Sequence, residues 1–278
     1  MALPRLYKDF YHRKVFTFDE VRAAYGKELT GYSLQSLIRD NLEKGHIGMV
    51  RRGLYYIIPQ VPPPGTHQVD KFLIAGKLAA DGVIGYHAAL ELHGAAYSAF
   101  NTVHVLTRKL FKPFEFQGIR YQAVSNSYDV GIQSLQRDLV EVRCTDRERT
   151  VIDGVDRIKY IGGLEEYLKS VELLPYVDFN KIERYLSAYG KKALYAKVGF
   201  VLSLFEKQWS FPEQVKKRLR RRLSRMAFYL GERKNGAMLN KDWNLMVPEK
   251  LERPLSEHHK SESVIGSRLS AERQAGRD

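Results

Sequence analysis

FTFDEVRAAYGKELTGYSLQSLIRDNLEKGHIGMVRRGLYYII, residues 16 to 58, organises the chain: two short amphipathic helices, then two β-prone runs joined by a basic turn. Thr17 followed three residues on by Glu20 forms a capping box, in which a hydroxyl and a carboxylate satisfy unpaired backbone donors at a helix start. The first helix then places Phe18, Val21, Ala24 and Tyr25 on one face, and Gly26 falls where a left-handed stop is expected. Tyr32 and Ser33 open the second helix. Its buried stripe is Leu34, Leu37, Ile38 and Leu42, and its other face shows Gln35, Ser36, Arg39, Asp40 and Glu43. Gly45 closes it. HIGMV and LYYII follow as a hairpin, with Arg51, Arg52 and Gly53 at its tip.

This is the pattern of a winged helix-turn-helix. A helix of this size fits a major groove about 12 Å wide, with its N-terminal side chains at the base edges. Tyr32, Ser33, Gln35, Ser36 and Arg39 are therefore the candidate DNA-reading residues, and Arg51 and Arg52 the candidate phosphate or minor-groove contacts, where counterion release favours cations.

Outward from this unit, residues 3 to 14 supply a preceding helix, and the expected first domain is 1–60. A proline-rich connection at 61–66 marks the boundary, and 67–252 is expected to form a larger domain with its own core. Within it, VDKFLIAGKLAADGVIGYHAALELHG predicts a helix, a break at Asp81-Gly82, and a second helix through His93. TVHVLT, PFEFQ, IRYQAV and DLVEVRC predict strands of a small mixed sheet. From Arg147 onward the apolar period is helical. The polar segment 253–278 predicts a disordered tail. The fold class is α+β: an N-terminal winged helix-turn-helix, then a larger domain of small mixed sheet plus helical bundle.

A formal charge of +13 on 278 residues favours a polyanionic partner, and nucleic acid is the commonest. The longest apolar run, Val198 to Phe205, is far short of the ~20 residues of a membrane span. The first residues, MALPRLYKDFYHRK, lack a signal peptide's apolar core, and the single Cys144 excludes an intramolecular disulfide. A cytoplasmic location and no membrane partner are expected.

No catalytic pattern stands out, so no enzyme, cofactor or metal is expected. His87 and His93 are six apart and point to different sides of a helix. The IGGLEE segment has a glycine pair but no phosphate-loop lysine. Arg149 and Asp153, four apart, predict a structural ion pair. The remaining charged feature is a helix over 212–226 with Val215, Leu219, Leu223 and Met226 as an apolar stripe. Lys216, Lys217, Arg218, Arg220, Arg221, Arg222 and Arg225 occupy the rest of it, a candidate contact for a polyanion or an acidic partner, or simply a solvated face.

Over about residues 5 to 248 the chain resembles the AbiEi antitoxin family of type IV toxin–antitoxin systems. The resemblance rests on RRGLYYIIP, YHAALELHG, Glu148-Arg149-Thr150 to Asp153 before Gly162-Gly163, and the late Asp242-Trp243-Asn244-Leu245. Ala88 and Ala89 stand where the family often shows a serine. The resemblance implies a winged-helix autorepressor of its own operon that binds double-stranded DNA at operator inverted repeats. It also implies that the larger domain counteracts a cognate nucleotidyltransferase toxin, without a stable complex being required. The alternative is a stand-alone winged-helix regulator whose larger domain senses a ligand or partner.

Overall fold

The computed structural model describes residues 4–60, 67–231 and 236–251, so the expected linker 61–66 and tail 253–278 lie outside the described residues. Among the described residues the chain is mixed α+β, with three sheets and many short helices, and no helix is long and apolar enough to cross a membrane.

The first sixty residues run α1 (Arg5–Phe10), β1 (Val15–Thr17), α2 (Phe18–Tyr25), α3 (Gly31–Glu43), β2 (Ile47–Arg51) and β3 (Leu54–Ile57). The strands form an antiparallel sheet ordered β1-β3-β2. Thr17 caps α2 as expected: its side chain accepts from Glu20 N, and the Glu20 carboxylate accepts from Thr17 N at 2.8 Å. Gly26 is not a left-handed stop. Its φ of −66° continues the helical conformation into a turn, and Ala24 on this helix is exposed rather than inward. Leu6, Phe10, Phe16, Val21, Tyr25, Leu34, Ile38, Ile47, Tyr55 and Ile57 fill the core. Burial of such side chains stabilises by roughly 1.5–3 kcal/mol each.

The larger part is built on a six-stranded sheet. Its strands are β4 (Val83–Gly85), β5 (Thr102–Thr107), β6 (Phe114–Phe116), β7 (Ile119–Ser125), β8 (Ile132–Arg137) and β9 (Val140–Thr145), ordered β6-β7-β5-β4-β9-β8. The β5/β7 and β4/β9 pairs are parallel and the other three antiparallel. The short α4 (Lys71–Ala75) and α5 (His87–Leu92) flank β4 in sequence. The expected interhelical break is thus a fully buried central strand: Val83-Ile84-Gly85 is too short for its period to show.

A helical layer follows: α6 (Arg147–Asp156), α7 (Leu164–Glu172), α8 (Phe179–Tyr189), α9 (Lys192–Leu204), α10 (Glu206–Trp209) and α11 (Glu213–Arg220). A third sheet of β10 (Phe228–Tyr229), β11 (Ala237–Asn240) and β12 (Leu245–Pro248) closes it. Trp243, fully buried, packs against Gly199 of α9, where a Cβ would come within 2.1 Å of the indole, and its Nε1 donates to Ser203 Oγ at 2.9 Å.

The first unit has its own core and also shares a second one with the larger part. Val15, Val50 and Leu54 belong to the same apolar cluster as Phe72, Ile74, Val103, Val105, Tyr121 and Cys144 of the larger part. Ion pairs cross the same seam: Lys77 reaches Glu20 at 2.6 Å, and Lys14 pairs with Asp138. The β1-β3-β2 sheet has two apolar faces, one for its own helices and one for the larger sheet.

His104 on β5 packs against Tyr86 and Tyr160, ring centroids at 5.6 and 4.6 Å. Burial, with a smaller contribution from His87, pulls its pKa down to about 4 from the ordinary 6.5. The unfolded chain therefore binds a proton that the folded chain refuses. Stability from this site is intact above about pH 6.5 and is lost as the pH falls toward 4, by about 3 kcal/mol at most. Urea unfolding at pH 7 and pH 4.5 measures this. His104→Phe is expected to flatten that dependence, and an unchanged slope in the variant would remove His104 as its source.

Candidate nucleic-acid interface

Helix α3 begins one residue before the expected start, because Thr30 is its N-cap: the Thr30 hydroxyl accepts from Ser33 N at 3.3 Å and lies 3.0 Å from Ser33 Oγ. This cap fixes the first turn, the part that would enter a groove. Its sequence signal is a threonine three residues before a serine. Leu34 and Ile38 bury one face. On the other, Tyr32 is 76% exposed, and Gln35 and Arg39 are exposed beside it. Ser33 and Ser36 are half-buried at the edges, and Arg39 donates to Ser36 Oγ at 3.3 Å. Lys27, in the turn between the two helices, and Lys44, just past the end of α3, are also exposed; residue spacing within the helices did not reveal them.

The two hairpin arginines part company. Arg52 is exposed at the Arg52-Gly53 turn, where Gly53 takes a φ of +82°. Arg51 turns back toward the larger part, donates to Leu78 O at 3.2 Å, and lies 5.1 and 5.0 Å from the Phe111 and Phe114 ring centroids. Burial lowers its pKa, yet it remains a cation stacked on two aromatic rings. The expected Arg51 contact with DNA is corrected: this residue joins the hairpin to the rest of the chain.

The basic helix is likewise divided, and shorter than expected, because residues 221–226 leave the helical path and Met226 is exposed rather than part of the stripe. Lys216 is buried between Glu206 and Glu213. Arg218 donates twice to the Glu183 carboxylate, both at 2.7 Å. Arg220 stacks over Trp243 at 5.2 Å and faces Asp242 at 3.6 Å. All three have intramolecular partners, and of them only Lys216 is buried. Lys217, Arg221, Arg222 and Arg225 remain exposed without an ion pair among the described residues, and Arg221 and Arg222 line a 270 Å³ cleft with Ser187 and Tyr195.

The conspicuous polar residues of the larger part are occupied internally. His87 is fully buried and stacked on Phe100 at 3.8 Å; its Nδ1 faces Glu91 and its Nε2 faces Glu166, each at 3.1 Å. The two carboxylates are desolvated, but their hydrogen bonds to His87, to Lys71 and to Ser98 leave both pKa values below the ordinary one. His93 contacts Thr145 O at 2.8 Å. Among the described residues no group of three His, Cys, Asp or Glu side chains could hold a metal ion.

No family model matches the chain, and no curated protein matches it. Among solved structures, it is similar to the crystal structure of the RV2827C protein from Mycobacterium tuberculosis, with a TM-score of 0.58 over 88% of this chain and 92% of that one, at 14% identity. At that identity the likeness is one of fold: over most of its length the chain has the mixed α+β architecture of that protein.

Proposed function

We propose that the first sixty residues are a winged helix-turn-helix that binds operator DNA, and that the chain is an autorepressor and antitoxin of a type IV toxin–antitoxin operon. The observation that carries the DNA half is the exposed row Tyr32, Gln35 and Arg39 on a helix whose first turn is capped and whose opposite face is buried. An excess of cations over the whole chain and the exposed Arg52 support it. The antitoxin half rests on the resemblance of the larger domain's motifs alone, and its expected counterpart is a nucleotidyltransferase toxin encoded next to this chain. The free cations Lys217, Arg221, Arg222 and Arg225 offer a further surface for a polyanion.

Gel-shift titration on the chain's own promoter tests the first half. Saturable binding at inverted repeats in 50–200 mM salt supports it, and binding no tighter than to random duplex overturns it. Arg52→Ala should weaken binding on every duplex and flatten the slope of log K against log salt by about 0.9, as for one lost phosphate contact. Arg51→Ala should leave that slope unchanged and instead lower folding stability by about 1–3 kcal/mol, through a lost hydrogen bond and two lost ring contacts. Co-expression with the adjacent gene tests the second half: toxicity that this chain does not relieve would leave only the regulator.

A further inference from the structure

A 450 Å³ cavity lies between the end of α6, the start of α7 and one side of α9, with no lining residue from the first sixty. Its walls are largely apolar, with Val155, Ile158, Leu164 and Leu230 among them. Three cations nevertheless line it, Arg157, Lys159 and Lys197, the first two also lying 5.9 and 5.1 Å from the Tyr160 ring centroid. None has an ion pair with a carboxylate among the described residues. The one carboxylate in the described lining, Asp156, is taken by Lys191 at 2.6 Å.

Lys197 is the informative member. It sits half-buried on the most apolar helix of the chain, flanked by Ala196 and Val198, both buried. Burial lowers its pKa, with Asp156 opposing. A cation in such a place is held at a cost unless an anion joins it. Gly163 lies in the lining with a φ of 103° and a ψ of 178°, a conformation open essentially to glycine alone, and a Cβ there would meet nothing within 4 Å.

We propose that this cavity binds a phosphomonoester of nucleotide size, its dianionic phosphate held by Lys197, Arg157 and Lys159 and its body laid on the apolar wall. The volume falls within the range of small-molecule sites, which join an apolar lining to a few convergent polar groups. Three cations against one occupied carboxylate match a dianion better than a monoanionic carboxylate, and charge-assisted bonds to phosphate are the strong kind.

The test is isothermal titration of adenosine 5′-monophosphate, adenosine and inorganic phosphate into the full chain at low ionic strength. The nucleotide is expected to bind saturably at one site, adenosine not to bind, and inorganic phosphate to bind at least tenfold more weakly than the nucleotide. Lys197→Met should weaken nucleotide binding at least tenfold, and Lys217→Gln, outside the cavity, should leave it unchanged. Arg157→Gln and Lys159→Gln, at exposed positions, should each weaken it about threefold and serve if the Lys197 variant fails to fold. No saturable nucleotide binding at millimolar concentration, or binding that the three cavity variants leave untouched, overturns the site; phosphate binding as tightly as the nucleotide overturns its assignment to a nucleotide. Promoter affinity measured without ligand should be the same for Lys197→Met as for wild type, so failure here is separate from failure of the DNA-binding reading.

Discussion

Replacing Arg149 with methionine is expected to destabilise the fold by about 3–5 kcal/mol, the range for removing one partner of a buried ion pair. Arg149 is 1% exposed and makes five directed contacts, four of them through the guanidinium. Its Nε donates to Asp153 at 3.2 Å, its Nη1 to Tyr128 O and Val130 O at 3.0 and 2.7 Å, and its Nη2 to Asn126 Oδ1 at 2.9 Å. The fifth contact is through its backbone N, which donates to Asp146 Oδ1 at 2.9 Å. A methionine keeps only the last. Asp153 would then be left buried with Tyr189 as its remaining partner, and two carbonyls of the loop before β8 would lose their donor. Lysine should recover only part of the loss, because one ammonium cannot reproduce a planar fork with five N–H groups. Urea unfolding of the methionine and lysine variants decides the matter; a methionine variant within 1 kcal/mol of wild type would show that the loop finds other donors.

The second large effect is expected at α3. If its exposed row reads base edges, Gln35→Ala and Arg39→Ala should each cost about 1–3 kcal/mol of discrimination between operator and random duplex, roughly tenfold to a hundredfold in relative affinity. Non-specific binding should fall much less, because it is carried mainly by phosphate contacts. Both side chains are exposed, so folding stability should stay within about 0.5 kcal/mol. Competition gel shifts separate the two quantities. A double variant that keeps wild-type discrimination would move the reading surface off this helix, whatever the wing contributes.

Much of this was legible along the chain. The capping box at Thr17 and Glu20 and the stripe Leu34 and Ile38 appear in the structure as expected. Each is a local pattern, repeated at the period of one helix. The Arg149–Asp153 pair was legible as a pair, but not as the buried tie of α6 to a loop twenty residues away. The central strand Val83–Gly85 was not legible, nor was β8: one is only three residues long, and Ile132–Arg137 alternates weakly at the sheet's edge.

By itself the amino-acid order determined where helices start, which faces are apolar, and that the molecule carries excess positive charge, because these depend on neighbours within a turn or two. Tertiary structure alone decided which cations are available. Arg51, Lys216 and Arg218 meet aromatic rings and carboxylates that lie 10 to more than 50 positions away in sequence. Adjacent residues of the same type, Arg51 and Arg52 or Lys216 and Lys217, diverge completely. Successive side chains on a strand or helix point in different directions, and only the packed neighbour determines whether a charge meets a partner or water.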